Sequence, residues 1–287
     1  MESQHGFMQG KSCTTNLLHF LEVLTKAVDQ GESVDVVYLD FAKAFDKVPH
    51  SKLIQKLEAH GITGKLKNWT RSWLAGRQQR VVICGEASTW KEVKSGVPQG
   101  SLLGPVLFKI HINDLDTMLR LISLVLKFAD DTKLAQVIRQ QEDSTRLQEA
   151  LNSLMVWAEM WGMAFNTAKC KVMHVGRANP RHEYTMGGQA LAKTDTERDI
   201  GVLVKGNLKP SDQCAKAART ANAGSALSRF PLPRQVDVHQ AVQAIRRAPP
   251  GIRGAGLEPL DSGRYKLPGK CTAPGHRDGI RVRPGQL

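Results

Sequence analysis

Three aspartates stand at positions where a carboxylate is costly. Asp40 lies near the end of the apolar run VDVVYLDF at residues 34–41, and the adjacent pair Asp130 and Asp131 interrupts a second apolar stretch at residues 121–138. Neighbouring carboxylates repel each other, and a divalent cation offsets that repulsion. Mg²⁺ prefers such oxygen ligands together with substrate phosphates, and a pair of these ions can promote phosphoryl transfer. The alternative is a plain polar turn, because aspartate is common in turns.

The pattern of apolar residues predicts the elements that position these aspartates. Residues 34–41 form a short, β-branched and nearly continuous apolar run, which is typical of a strand buried on both faces. Residues 121–138 divide into two β runs at Asp130 and Asp131. Helical spacing, apolar runs and turn residues predict the remaining elements: helices at 17–28, 52–59, 64–75, 102–118 and 147–161, a hairpin of 80–83 with 89–93, and a strand at 171–175. The order predicts an α+β sheet with helices on one face.

Composition narrows the class of protein. The 287 residues are 41% hydrophobic, enough for a sizeable core, and the formal charge of +13 favours a polyanionic partner such as nucleic acid. No apolar run approaches the roughly 18–20 residues that span a bilayer, and no secretory signal begins the chain. The five cysteines lack a CxxC pair and the nine histidines lack ligand spacing, so we expect neither disulfides nor a zinc site. We therefore expect an intracellular protein, nuclear or cytoplasmic, that is not secreted and contacts no membrane; its oligomeric state stays open.

The chain changes character near Arg229. Residues 231–287 hold 16 of the 38 glycines and prolines in only 57 positions, and they carry +6 of the total charge. A packed domain does not ordinarily have this composition. We therefore predict that residues 230–287 form a mostly disordered tail, with one helix-like run at 236–247.

Four sequence blocks occur in a fixed order. They are YLDFAKAFDKVPH at 38–50, SGVPQGSLLGPVLF at 95–108, FADD at 128–131 and FNTAKCKVMHVG at 165–176. FADD alone is not specific, but the four ordered blocks closely resemble the palm of a reverse transcriptase of non-LTR retrotransposons, the chicken-repeat and jockey-like LINE group. Residues 5–18 and 197–222 resemble the segments on either side. The resemblance covers about residues 3–229.

The resemblance implies a palm-type, ferredoxin-like domain with an antiparallel sheet backed by helices. It divides the chain into residues 1–33 as a remnant of the fingers and palm junction, 34–229 as palm and start of the thumb, and 230–287 as the tail. Fingers and thumb of the family are represented only in part. We therefore expect a truncated copy whose activity is weak or absent.

The resemblance also implies catalytic roles. Asp40, Asp130 and Asp131 match the three metal-binding carboxylates, which hold Mg²⁺ with Mn²⁺ as an alternative ion. Lys169 matches a lysine that assists the departing pyrophosphate as a general acid or by its charge. A solvated surface lysine is the alternative for Lys169.

A second set of residues is implied to bind the nucleotide. Phe45 occupies the place of an aromatic residue that blocks a ribose 2′-hydroxyl, and its neighbour Phe41 belongs to the same block. The loop of Pro98, Gln99 and Gly100 matches the one that lies against the incoming nucleotide and template. Core packing is the alternative for Phe45, and an ordinary turn is the alternative for the loop.

The function implied by the resemblance is RNA-directed DNA polymerisation. A primer 3′-hydroxyl attacks the α-phosphate of a deoxynucleoside triphosphate, so the partners are an RNA template, a DNA primer and deoxynucleotides. A non-catalytic nucleic-acid-binding remnant is a competing hypothesis. A different magnesium-dependent phosphotransferase or nuclease is a third, but it would not need Phe45 or the loop at 98–100.

Overall fold

The computed structural model describes residues 3–225 and 279–283. It begins with helix α1, Cys13–Asp29, followed by the strand β1, Ser33–Leu39. Ser12 caps α1, because its hydroxyl accepts the Thr15 N–H while the Thr15 hydroxyl accepts the Ser12 N–H. The helix predicted at 17–28 is confirmed and starts earlier than expected, at Cys13, since Ser12 is the cap.

Three helices and three strands follow β1. They are α2 Ala44–Lys47, α3 His50–Ala59, α4 Gly64–Leu74, β2 Gln78–Ile83, β3 Glu86–Ala87 and β4 Lys91–Glu92. The predicted helices at 52–59 and 64–75 are confirmed within a few residues. The predicted hairpin is more elaborate than expected, because β2 pairs with β3 and also with β4.

The prediction of one helix over 102–118 is wrong. Helix α5 spans Leu103–His111, and a 3₁₀ helix at Asn113–Leu119 replaces its second half. The carboxylate of Asp114 accepts the indole N–H of Trp157 at 3.0 Å and pairs with Lys56. The Thr117 hydroxyl donates to the Asp114 carbonyl, which supports the tighter turn. Partners distant in sequence therefore end the α-helix.

The second half of the fold supplies more strands and the longest helix. Its elements are β5 Leu124–Phe128, β6 Asp131–Ile138, α6 Gln141–Trp161, β7 Lys171–Val175, β8 Thr185–Met186, β9 Gln189–Ala190, β10 Ala192–Lys193, β11 Thr196–Asp199, β12 Val202–Lys205, α7 Ser211–Ser225 and β13 Gly279–Arg283. The strand predicted at 171–175 is confirmed. Helix α6 begins before residue 147 because Asp143 accepts the N–H groups of Arg139 and Gln140.

The main sheet has five strands in the order β10-β7-β1-β6-β5. Strand β1 lies in the centre and pairs antiparallel with β6 and β7, β5 pairs antiparallel with β6, and only the short β10 runs parallel to its neighbour. All residues of β1 except Tyr38 are buried. The prediction of a strand covered on both faces is therefore confirmed.

Helices cover both faces of this sheet, so the expectation of helices on one face is wrong. Val37 and Leu39 of β1 pack into a cluster with residues of α3, α5 and α6, whereas Val34 and Val36 pack with Phe20 of α1. Both sides of β1 are apolar, and burying one Leu or Phe side chain contributes about 1.5–3 kcal/mol. The second face of the sheet must therefore also be shielded from water, and α1 packs against it.

The elements up to Cys214, together with β13, belong to one compact unit, and every candidate site residue lies in it. Most of the predicted tail at 230–287, including its helix-like run at 236–247, lies outside the described residues. The described part, Gly279–Arg283, pairs antiparallel with β2. Within the described part of the chain, no helix is long and apolar enough to cross a membrane.

Candidate active site

The three aspartates predicted to act together come from two neighbouring strands. Asp40 directly follows β1, and Asp131 opens β6. Leu39 pairs with Thr132 in the β1–β6 register. Because the strands are antiparallel, Asp40, which follows Leu39, and Asp131, which precedes Thr132, meet at the same end of the sheet. Asp130 lies in the turn between β5 and β6. Antiparallel pairing therefore brings carboxylates 90 residues apart in sequence to one place.

These carboxylates perturb each other. Loss of hydration raises the pKa of Asp130, and the charge of Asp40 raises it further. The pKa of Asp131 is raised by loss of hydration and then by the charges of Asp130, Asp199 and Asp40. The ionised forms are thus destabilised, and a cation bound among them would offset the repulsion.

The donor set fits a divalent metal ion in chemical kind. Three carboxylates supply hard oxygen ligands of the type that Mg²⁺ prefers, and the Asp40 side chain is 38% exposed. Among residues 3–225 and 279–283, however, no three His, Cys, Asp or Glu side chains are gathered closely enough to hold an ion as they stand. Coordination by all three aspartates therefore requires their side chains to turn toward the ion.

A cleft of about 320 Å³ opens beside Asp40 and Asp131. Its wall includes Lys169, whose ammonium lies 3.8 Å from the Asp40 carboxylate on a side chain that is 69% exposed. The lining also includes Lys133 and Asp199, a buried ion pair. Positive groups thus stand close to the carboxylates while the cleft stays open to solvent.

The main chain of Asp40 is held by the loop that carries Lys169. The Asn166 N–H donates to the Asp40 carbonyl at 2.7 Å, and the Asp40 N–H donates to the Cys170 sulfur at 3.4 Å. Within this block, FNTAKCKVMHVG, the resemblance implies a role only for Lys169. The structure adds Asn166 and Cys170 as residues that fix the backbone of Asp40.

The loop before α5 is fastened to the segment after Asp40. The Val97 N–H donates to the Phe45 carbonyl and the Gly96 N–H to the Val48 carbonyl, both at 2.8 Å. Gly96 has φ of +92°, and a Cβ there would lie 2.7 Å from the Asp46 carbonyl oxygen, so this close approach requires glycine. The first two blocks of the sequence thus form one structural unit.

Pro98, Gln99 and Gly100 lie on the open side of this loop. Gln99 and Gly100 are exposed and Pro98 is half-buried. The Gln99 amide donates to the Asp46 carboxylate at 3.3 Å. The loop therefore presents polar groups to solvent, where a ligand can reach them.

The two phenylalanines predicted to bind a nucleotide differ in accessibility. Phe45 is half-buried, and its ring stacks on Phe108 with 4.5 Å between centroids. Phe41 is 5% exposed and stacks on Phe165 at 4.5 Å. The ring of Phe41 thus belongs to the core.

His50 holds the loop at its base. Its Nε2 lies 2.8 Å from the Gly96 carbonyl oxygen. His50 belongs to no group of histidines with metal-ligand spacing, so its sequence context predicts no binding role. The contact across 46 residues carries no local sequence signal.

Comparison with known proteins identifies the family. The family model described as "Reverse transcriptase (RNA-dependent DNA polymerase)" matches residues 1–213. The chain belongs to the reverse transcriptase family. The resemblance seen in the four sequence blocks is therefore confirmed, and the α+β unit is a palm-type polymerase domain.

Curated relatives come from mobile elements of insects. The chain is 28% identical to the RNA-directed DNA polymerase from mobile element jockey of Drosophila funebris over 216 residues, which are 71% of this chain and 23% of that protein. It is 32% identical to the probable RNA-directed DNA polymerase from transposon X-element of Drosophila melanogaster, over 58% of this chain and 19% of that protein. The chain thus spans about a fifth of the length of these relatives.

A solved structure of telomerase from Candida tropicalis with a fragment of telomeric RNA is also similar. It shares 13% identity, with 82% of this chain and 36% of that chain covered and a TM-score of 0.49.

Proposed function

We propose that this chain contains the nucleotidyl-transfer site of an RNA-directed DNA polymerase. The observation that carries the proposal is the meeting of Asp40 with Asp130 and Asp131 at the ends of adjacent antiparallel strands. The loop at 98–100, fastened to the segment after Asp40, supports the same function. In this proposal the substrates are a DNA primer, an RNA template and deoxynucleoside triphosphates.

Asp40, Asp130 and Asp131 would hold Mg²⁺, or Mn²⁺ in its place. The bound ion would supply charge stabilisation for the attacking and leaving oxygens of the transfer. The raised pKa values of Asp130 and Asp131 fit this role, because the repulsion that raises them is relieved by a cation. The hydrogen bonds from Asn166 and to Cys170 keep the backbone of Asp40 in place.

The remaining residues would position the nucleotide. The exposed ammonium of Lys169 places positive charge beside Asp40, where it would stabilise a departing pyrophosphate. Gln99 offers donor and acceptor groups from an exposed loop. Phe45, held flat against Phe108, would present a rigid edge that disfavours a ribose 2′-hydroxyl.

Net charge supports binding of a nucleic-acid duplex. Residues 1–230 carry a formal +7 and residues 231–287 carry +6. Phosphate contacts from basic groups provide affinity that falls with salt concentration. We therefore expect salt-sensitive binding of a primer and template by the full chain.

Primer extension tests the proposal. The full chain is incubated with an RNA template, an annealed DNA primer, Mg²⁺ and deoxynucleotides, beside Asp130→Ala as the inactive variant. We expect weak extension by the wild-type chain and none by Asp130→Ala. Extension that survives Asp130→Ala would refute the metal-binding role of this residue.

One observation favours a second candidate, a non-catalytic nucleic-acid-binding protein. Within the described residues the three carboxylates are not gathered into a ready metal site. This candidate predicts equal, salt-sensitive RNA binding by the wild-type chain and Asp130→Ala, with no nucleotide incorporation by either. The same preparation of protein therefore separates the two functions.

A further inference from the structure

The first described residues run along the outer edge of the five-stranded sheet. Gln4 forms a parallel bridge with Lys127 of the outer strand β5. The Lys127 N–H donates to the Ser3 carbonyl and the His5 N–H donates to the Lys127 carbonyl, both at 2.8 Å. This segment therefore reaches the turn that carries Asp130.

The Gln4 side chain is only 1% exposed. It forms hydrogen bonds with Ala129, the residue just before Asp130. Its Oε1 accepts the N–H groups of Ala129 at 3.0 Å and Gly6 at 2.7 Å, and its Nε2 donates to the Ala129 carbonyl at 3.3 Å. A glutamine amide offers one oxygen with two lone pairs and one NH₂ group. A single buried side chain thus satisfies both main-chain polar groups of Ala129.

Ala129 has an unusual backbone conformation. Its φ is +57°, a left-handed value that a non-glycine residue adopts at a cost. It is the first residue of the two-residue turn between Phe128 and Asp131, where a positive φ usually selects glycine. The bonds from Gln4 offset the cost of alanine at this position.

Gly6 allows the segment to come this close. A Cβ on Gly6 would lie 2.3 Å from the Ala129 nitrogen, closer than any side chain tolerates. Gln4 and Gly6 together therefore hold Ala129 from a part of the chain that lies 123 or more positions away in sequence.

We infer that Gln4 is a positioning residue that fixes the turn carrying Asp130 and Asp131. This inference rests on the proposed function for the use of the turn, and on the hydrogen bonds above for its geometry. Removing the amide would let Ala129 leave its left-handed conformation, and both aspartates would then lose their placement relative to Asp40.

The test compares Gln4→Met with Gln9→Met in the full chain. Methionine matches glutamine in length and removes the hydrogen bonds, and Gln9 is exposed in the same segment. Amide hydrogen exchange at Ala129 to Asp131 is expected to accelerate about tenfold or more in Gln4→Met only, as local opening does. Affinity for Mn²⁺ alone, measured by water-proton relaxation, is expected to fall about 10-fold to 100-fold, the range for residues that orient metal ligands.

A second substitution distinguishes positioning from general stability. Ala129→Gly in the Gln4→Met background removes the cost of the left-handed backbone, so we expect it to restore part of the Mn²⁺ affinity. Unchanged exchange and affinity in Gln4→Met would overturn the inference, as would exchange that accelerates equally in α6. If these predictions hold while neither the wild-type chain nor any variant extends a primer, the proposed function fails and the positioning role of Gln4 stands.

Discussion

Two aspartates, one within strand β1 and one directly after it, are in opposite situations. Asp35 lies within the strand and is fully buried, and it accepts hydrogen bonds from Tyr184 at 2.6 Å and Asn179 at 2.7 Å, beside His174 at 2.7 Å. Asp40 lies just past the strand and is 38% exposed, with other carboxylates as near neighbours and a lysine at 3.8 Å. The Asp35 carboxylate thus has hydrogen-bond donors around it, whereas the Asp40 carboxylate, five residues later, is incompletely paired.

This difference separates a structural carboxylate from a functional one. Burial of an ionised group is tolerated when donors surround it, as they do Asp35. At Asp40 the neighbours add repulsion, which destabilises the protein unless a cation binds. Asp35 and Asp40 should therefore respond differently to the same substitution.

The largest expected effect is on catalysis by Asp40→Asn. Loss of one ligand charge should lower the rate of nucleotide incorporation by about a thousandfold, since metal stabilisation of the transition state contributes several kcal/mol. The free energy of unfolding should stay within about 0.5 kcal/mol, as for other exposed positions. Single-turnover extension and urea unfolding measure the two quantities. A rate equal to that of the wild-type chain would contradict the comparison.

Asp35→Asn should lower the stability of the fold and leave the rate of nucleotide incorporation unchanged. An amide in place of this carboxylate turns an NH₂ group toward donors such as the Tyr184 hydroxyl, and a mismatched buried polar group costs about 1–3 kcal/mol. The free energy of unfolding should fall by that amount, while the rate per folded molecule is kept. Asp29→Asn, at an exposed position of α1, is the matched control. Equal stability of Asp35→Asn and Asp29→Asn would contradict a structural role for Asp35.

Phe45→Val tests the open side of the site. A smaller side chain should reduce discrimination against ribonucleotides by about tenfold to a hundredfold, the range for a changed apolar contact. The ratio of rates with matched ribo- and deoxynucleotides measures it. Because Phe45 also stacks on Phe108, a loss of stability without a change in this ratio would assign Phe45 to core packing alone.

Lys169→Ala should have a smaller effect. The ammonium is exposed and 3.8 Å from Asp40, so we expect the turnover rate to fall about tenfold with little change in nucleotide KM. Lys169→Arg should keep most of the rate because it keeps the charge. Lys193→Ala, at an exposed lysine paired with Glu183, is the control. Equal rates for Lys169→Ala and this control would make Lys169 a surface residue.

The smallest expected effect concerns pH and Asp131. Its pKa in the folded chain is raised above the ordinary 3.8, so the folded state binds the proton more tightly than the unfolded state does. The free energy of unfolding therefore falls as pH rises from about 3.8 through the raised pKa. Asp131→Asn should remove this loss and gain less than about 1 kcal/mol at neutral pH in EDTA, because solvent screens an exposed charge. Thermal unfolding across pH measures it, and identical curves for both chains would contradict the prediction.

Sequence patterns predicted the parts of the fold that depend on local periodicity. The β-branched run at 34–41 and the divided run at 121–138 became β1, β5 and β6, and antiparallel pairing of these strands then brings Asp40 to Asp131. The end of α5 at His111 was not predictable, because the partners of Asp114 are Trp157 and Lys56. The placement of helices on both faces of the sheet was not predictable either, since an apolar strand does not show which helix covers each side.

The supporting residues of the site were harder to predict than its carboxylates. His50, Asn166 and Gln4 act through contacts to main-chain atoms 46 or more residues away. A hydrogen bond to a distant backbone group, whether it comes from a side chain or from the main chain, leaves no pattern of paired residue types in one sequence. Only the fold reveals them.

The most direct test of the central claim is the rate of single-deoxynucleotide incorporation opposite a defined RNA base, measured against Mg²⁺ concentration. The wild-type chain, Asp35→Asn and Asp130→Ala are compared at equal concentrations of folded protein. If the carboxylates at the end of β1 and β6 form the reaction centre, the wild-type chain and Asp35→Asn share one Mg²⁺-dependent rate and Asp130→Ala shows none. Incorporation by Asp130→Ala at the wild-type rate, or no incorporation by the wild-type chain at any Mg²⁺ concentration, would contradict it.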